Sequence, residues 1–341
     1  MKRSLRNKTV LVGGGCGFMG SNFIHYLLAQ NSTVRVINLD LLTYAGNPEN
    51  LRGVPRARYR FVRGDITNTR LMKRLMRGAD FVVNFAAETH VDRSIHGNDD
   101  AFMCTNVLGV HSLLRALMAS PQVKLMIHIS TDEVWGDLPL SSRKKFTEES
   151  PLRPSSPYAA SKAAGDLVIR SFVRTYKLPI VTTHSTNNFG PRQFPEKLIP
   201  FFVTRALKNL PLPLYGDGLN RRDWLFVDDH SRAVLALLER GVAGEEYAIS
   251  CEGKEYSNKA VAGLILAAMQ KPKNFIRMVA DRPGHDRRYA VSSAKLRKLG
   301  WKPRHSVEEA LRTTVDWYLH NAAWLRSSTK RAGKLNPHIT V

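Results

Sequence analysis

Tyr158 and Lys162 stand four residues apart in SPYAASKAAGD, a spacing that puts a phenol and an ammonium on one face of a helix. A cation beside a phenol favours the phenolate. It moves a group with an ordinary pKa of about 10 towards working pH, where it can take a proton from a hydroxyl. Tyr-x-x-x-Lys is frequent by chance, so the pair needs company. Ser130-Thr131, at the end of an apolar run, adds a hydroxyl, and Asp132-Glu133 follow at once. Two neighbouring carboxyls can divide the work of base and acid if their environments separate their pKa values. A third constellation is Gly14-Gly15-Cys16-Gly17-Phe18-Met19-Gly20, a G-x-x-G-x-x-G run that permits a tight turn and close backbone approach to a pyrophosphate.

These groups need a scaffold that brings distant segments to one edge. Thr9–Val12, Val34–Leu39, Tyr59–Arg63, Phe81–Phe85, Lys124–Ser130 and Ile180–His184 read as buried strands, and Ser21–Gln30, Thr69–Arg77, Phe102–Ala119 and Pro157–Tyr176 as helices between them. That alternation predicts an α/β fold, a doubly wound parallel sheet with helices on both faces. The glycine loop then sits between the first strand and first helix, as a dinucleotide cradle requires. Asp40, twenty residues beyond Gly20, ends the second strand, where it can accept from both hydroxyls of a ribose. A carboxylate there repels a 2′-phosphate, and Leu41-Leu42-Thr43 supply no cation to hold one, so NAD is favoured over NADP. Asp65-Ile66 are placed to flank the adenine.

After about Ser185 the rhythm changes to Pro- and Gly-rich loops such as FGPRQFPEKLIP and LPLPLYGDG. A strand at Arg222–Phe226, a helix at His230–Arg240 and a strand at Glu246–Ile249 read as a return to the sheet. Ser306, with Glu309 three residues on, forms a capping box for a helix from Val307. Trp324 to Val341 carries four basic residues and no acid, and reads as a frayed basic tail.

Composition excludes whole classes. A chain of 341 residues with 43% apolar and 23% charged residues can bury a large core. Cys16, Cys104 and Cys251 offer neither a disulfide framework nor a zinc spacing, and a reduced, cytoplasmic setting is expected. The start of the chain has no apolar run long enough for a secretory signal or a membrane span. The charge is unusual: 51 Lys+Arg against 29 Asp+Glu, a formal +22. That admits nucleic acid, anionic membrane or phosphorylated small molecules as partners.

The residues together resemble a known family. A hydroxyl, a tyrosine and a lysine downstream of a dinucleotide loop make the short-chain dehydrogenase/reductase constellation. The chain is similar to its extended branch and, within that, to the nucleoside-diphosphate-glucose 4,6-dehydratases, above all those acting on dTDP-glucose. The stretches GGGCGFMGSN, NLDLLTYAGNPENL, NFAAETHVDRSI, STDEVWGDL, SPYAASKAAGD, NNFGPRQFPEKLIP, LPLYGDGLNRRDWLFVDDHSRAV and DRPGHDRRYA carry the likeness, from about residue 8 to 321. Thr131-Asp132-Glu133 discriminates most, because related epimerases and decarboxylases share the fold, the loop and the Tyr/Lys pair but not the adjacent acids.

The resemblance implies a Rossmann sheet over residues 1–184, with a return segment near 223–250. It also implies a smaller mixed α/β nucleotide-sugar domain from 185–222 and 251–325, before a basic tail at 326–341. It implies that Tyr158, with Lys162 and Thr131, removes the 4-hydroxyl proton while C4 is oxidised by tightly bound NAD+. Glu133 would then take the C5 proton and Asp132 protonate the C6 hydroxyl as water leaves. Gly14, Gly17, Phe18, Met19, Gly20, Asp40, Leu41, Leu42, Thr43, Asp65, Ile66, Ala86, Ala87, Thr105, Tyr158, Lys162 and Asn188 would hold the cofactor. Thr89, Thr131, Asn187, Glu196, Lys197, Leu198 and Ile199 would face or close over the sugar. Pro213, Tyr215, Arg222, Asn258, Arg282 and His285 would take the base and phosphates.

Four positions depart from the family pattern: Gly13, Cys16, Trp135 and His184. They bear on pocket shape more than on reaction type. His90 and Cys104 lack partners at a metal-binding spacing, and no metal is expected. A homodimer built on Phe102–Ala119 and Pro157–Tyr176 is implied. An NDP-sugar 4-epimerase or a decarboxylase is the enzymatic alternative, and a nucleic-acid binder on an old enzyme scaffold the non-enzymatic one. The intact acid pair opposes the first and the complete catalytic set the second. The basic excess is expected to be scattered over the surface.

Overall fold

The computed structural model describes residues 2–281 and 283–332. The apolar runs form strands β1 (Thr9–Gly13), β2 (Arg35–Asp40), β3 (Tyr59–Arg63), β4 (Phe81–Asn84), β5 (Leu125–Thr131) and β6 (Ile180–Ser185). With a seventh strand, Glu246–Ile249, they make one parallel sheet whose order is seventh, β6, β5, β4, β1, β2, β3. β1, β4, β5 and β6 are buried throughout, which is why their apolar runs are continuous rather than alternating. Strand order reverses at β1, which pairs with both β2 and β4, so a crevice opens at their carboxyl ends.

One face of the sheet is covered by the helices Phe18–Gln30 and Val227–Arg240, through Phe23, Ile24, Leu27, Val234 and Leu237. Met72, Leu75, Leu113, Leu114 and Leu117 cover the other. The remainder builds its own core around Phe189, Phe202, Trp224, Ile265, Leu311 and Tyr318. The long Pro157–Tyr176 helix starts where Ser156 accepts from the Ala159 N–H at 3.1 Å with Pro157 in its first turn. Ser306 accepts from the Glu309 N–H, so the capping reading of SVEE holds.

Three expectations are corrected. Phe102–Ala119 is not one regular α-helix: Asp100–Met103 is α, Cys104–Gly109 widens into a π turn, and Val110–Met118 is α again. The widening lies beside the crevice, where Thr105 emerges, as π turns at functional sites do. This Asp100–Met118 stretch is the one helix among the described residues long and apolar enough to cross a membrane; here Phe102, Val110, Leu113 and Leu117 are packed inside the fold.

Arg222–Phe226 is not a strand of the main sheet. Arg221–Arg222 pairs antiparallel with Tyr256–Ser257, and Trp224–Phe226 pairs with Asn187–Phe189. Asp223 separates them, its carboxylate accepting from Cys251 and Glu252 N–H groups at 3.2 Å. The tail is also more ordered than its composition suggests: Ala322–Ala332 is helical, with Leu325 and Ser328 buried. Residues 333–341 lie outside the described residues.

Candidate active site

The carboxyl ends of the parallel strands converge on a cavity of about 310 Å³. Its floor is the glycine loop. Gly14 has φ +74°, and a Cβ there would lie 2.6 Å from the Ala86 nitrogen, so the close approach of the turns that follow β1 and β4 demands glycine. Gly17 precedes the Phe18–Gln30 helix without a side-chain cap, so its first N–H groups face the cavity with the positive end of the dipole. Asp40 closes β2; its two oxygens accept from Cys16 and Leu42 N–H groups, both at 2.8 Å, and burial raises its pKa. This cradle, with no room for side chains and with uncapped N–H groups, fits a pyrophosphate dinucleotide.

Gly14, Gly17, Phe18, Met19, Gly20, Asp40, Leu41, Thr43, Asp65, Ile66, Ala86, Ala87, Thr105, Thr131, Asp132, Tyr158 and Asn188 all line this cavity. A second cavity of about 190 Å³ adjoins it, lined by Leu198, Pro213, Tyr215, Arg222, Asn258 and His285 among others. Thr89, Glu133, Tyr158, Asn187, Glu196 and Lys197 line both. These six form the shared wall.

Three expected residues stand elsewhere, and one cannot be placed. Leu42 packs its side chain on the first core and offers the cavity region only its backbone. Ile199 is 1% exposed within the second core, because its helix turns Leu198, not Ile199, towards the cavity. Lys162 is buried beneath the wall, its ammonium donating to the Ile129 carbonyl at 2.8 Å. Arg282 lies outside the described residues.

The reactive groups have contrasting environments. Thr131 ends β5 and caps a short turn, Asp132–Trp135, by accepting from the Glu133 N–H at 3.3 Å. Asp132 is buried; one oxygen accepts from the Thr131 hydroxyl at 3.3 Å and the other has no partner among the described residues. Burial, then the neighbouring Glu133 charge, hold its pKa well above the carboxylate range. Glu133 is only half-buried and faces both cavities. The pair is split as acid–base chemistry needs: burial favours the protonated form of Asp132, and Glu133 is half-buried on the walls of both cavities.

Tyr158 differs from the simple expectation. Burial raises its pKa, the Glu133 charge adds to this, and hydroxyls of Thr89 and Thr131 oppose it. Lys162, one turn on, donates to the Ile129 carbonyl, and burial brings its own pKa down to about 8. A further turn along the same helix, Asp166 accepts from Ser130 at 2.7 Å and from His184 at 3.1 Å. Trp135 packs on that imidazole, ring centroids 4.8 Å apart. Two of the departing residues, Trp135 and His184, are thus neighbours under the site rather than in its wall.

Sequence reasoning missed Tyr44 and Arg93. The Arg93 guanidinium lies 3.6 Å from the Tyr44 ring centroid, and the Tyr44 hydroxyl reaches the Thr89 carbonyl at 2.9 Å and Glu196 at 3.2 Å. No spacing announces a contact between the loop after β2 and residue 196. Arg222 donates to the Arg221 and Asp286 carbonyls and lies over the Tyr289 ring at 4.3 Å.

On a doubly wound sheet, this dinucleotide cradle with a strand-end hydroxyl and a Tyr/Lys helix makes up the site of a short-chain dehydrogenase/reductase. The chain belongs to the GDP-mannose 4,6 dehydratase family, whose model matches residues 11–314. It is 48% identical over 311 residues to the low-salt glycan biosynthesis protein Agl12 of Haloferax volcanii, covering 91% of this chain and 98% of that one. It is 46% identical to dTDP-glucose 4,6-dehydratase of Xanthomonas campestris pv. campestris, over 93% of this chain and 95% of the relative. Among solved structures, dTDP-glucose 4,6-dehydratase of Streptomyces venezuelae, with NAD bound, aligns with a TM-score of 0.89 and 46% identity, covering 94% of this chain and 99% of that one. Five solved epimerases share the fold at lower identity, 25% to 31%.

Proposed function

We propose that this chain converts an NDP-glucose to the NDP-4-keto-6-deoxyglucose and water, using NAD that is regenerated at each turnover. The observation that carries the reading is the shared wall, where Glu133 and Tyr158 face both cavities and buried Asp132 stands beside them. When bound, NAD+ accepts hydride from C4 of the sugar and returns it to C6. Tyr158, polarised by the Thr89 and Thr131 hydroxyls, takes the 4-hydroxyl proton, while Lys162 lends its charge from the next turn of the helix. The C4 ketone acidifies C5, and Glu133 removes that proton and gives it back to C5 as the hydride reaches C6. Asp132, kept protonated by burial, donates to the C6 hydroxyl as it leaves as water.

Arg222, Asn258, Tyr215, Pro213 and His285 on the second cavity suit the nucleotide, with Arg222 offering a forked donor to the diphosphate. The names of the relatives support dTDP over UDP, and Asp132-Glu133 opposes a 4-epimerase or decarboxylase. Support for a homodimer comes from Met103, Leu108, Leu167 and Tyr176, which expose 49%, 59%, 54% and 49% of their surface on the two helical stretches named above. A cytoplasmic site of action accords with these water-soluble ligands. Incubation with dTDP-glucose and UDP-glucose separately, without added NAD, tests the reading by mass. Loss of one water from dTDP-glucose supports it, and no loss of water from either would sink it.

A further inference from the structure

We infer that the Ala322–Ala332 helix is a clasp on the cofactor cradle and sets how slowly NAD leaves, an inference that rests on the NAD-dependent reading above. The helix is anchored in the second core by Leu325, and Trp324 packs against Trp317 with centroids 5.1 Å apart. From there it reaches across to the cofactor half of the molecule. The Trp324 indole N–H donates to Asn50 Oδ1 at 2.8 Å, and Arg331 donates to the Gly46 carbonyl at 2.6 Å.

Both acceptors belong to the cradle's outer loop. Asn50 is 2% exposed, and its amide donates to the Cys16 carbonyl, inside the glycine turn, at 2.9 Å. Cys16 in turn donates its N–H to Asp40. Gly46 itself lines the cofactor cavity. Two hydrogen bonds therefore run from the terminal helix to the phosphate turn, and one more pins the wall beside the ribose site. The helix has eleven residues and few apolar anchors, too little to persist alone in water. Its order depends on these contacts, so it can dock and undock as a unit. A cofactor restored within each cycle gains from slow release, and the clasp supplies it.

The test compares the parent with Trp324→Phe, Arg331→Met and a chain ending at Asn321. Trp324→Phe keeps the ring but leaves a buried Asn50 oxygen without its donor. NAD retained after gel filtration and the rate of exchange with labelled NAD are measured, alongside melting of the NAD-free protein. The clasp predicts release faster by about tenfold in each point variant, restoration of turnover by added NAD, and little change in NAD-free melting. Release rates equal to the parent's in both point variants would overturn it, as would faster release matched by a general loss of NAD-free stability. Exchange is readable without turnover. A parent that binds NAD but removes no water would therefore count against the dehydratase reading and leave the clasp to its own result.

Discussion

Glu133 and Asp132 are adjacent in the chain yet chemically unlike, and that contrast is open to test one atom at a time. Glu133→Gln keeps shape and removes the base, so turnover should fall by roughly 10²–10⁴-fold while NAD stays bound; full turnover in that variant would remove its assigned role. Asp132 holds its proton more tightly folded than unfolded, so its ionisation lowers stability as pH rises above the ordinary carboxylate range. Asp132→Asn deletes that cost. It should melt higher than the parent at pH 8, with the gap closing near pH 4, and should turn over more slowly. A gap that does not widen with pH would contradict the assignment. Lys162 is charged at neutral pH and loses its proton near pH 8, so turnover should decline through that value. The folded chain gives up this proton more readily than the unfolded one, so stability should rise between about pH 8 and 10.5. Activity level to pH 10 would exclude a role for the ammonium.

Elements deliver these groups through a few tight contacts. Gly14→Ala places a Cβ on the Phe85–Ala86 backbone just after β4 at a positive φ, and should abolish NAD retention while leaving the second core folded, as circular dichroism and cofactor content would show. Asp166 ties the Tyr158/Lys162 helix to β5 through Ser130 and to β6 through His184, with both hydrogen bonds buried. Asp166→Asn should cost about 1.5–3 kcal/mol in urea unfolding and lower turnover, whereas parent-like values would make the tie incidental. Much of this level was legible in the chain. Continuous apolar runs such as LMIHIS announce buried parallel strands, and SVEE announces a helix start through a local side-chain bond. The misses share a cause: their signal lies far away in sequence. The Ala322–Ala332 helix looks like a solvated basic tail until Trp324 finds Asn50, and Trp224–Phe226 looks like a sheet strand until Asp223 turns to the 251–252 backbone. Site residues with a motif around them reached the cavity walls, whereas Leu42 and Ile199 turned into cores because neighbours in a motif point different ways.

For the whole molecule, the excess charge is less scattered than expected. Residues 52–77 hold nine basic side chains and one acid, and span β3, the edge strand, and the helix Thr69–Met76. Among the described residues β3 pairs only with β2, and Arg60 and Arg63 are exposed along it beside Phe61. Charge on an exposed edge blocks pairing with another chain, a physical use for part of the +22 that needs no polyanionic partner. Replacing Arg60 and Arg63 by Thr should therefore raise self-association in light scattering, and unchanged scattering would remove this explanation. The central claim joins both halves of the molecule in one reaction, a hydride carried from C4 to C6 of a single sugar between the two cavities. dTDP-glucose bearing deuterium at C4 tests it most directly. The account predicts a product lighter by one water, deuterium in its C6 methyl group and no net NADH. Deuterium left at C4, or accumulated on free NADH, would contradict it.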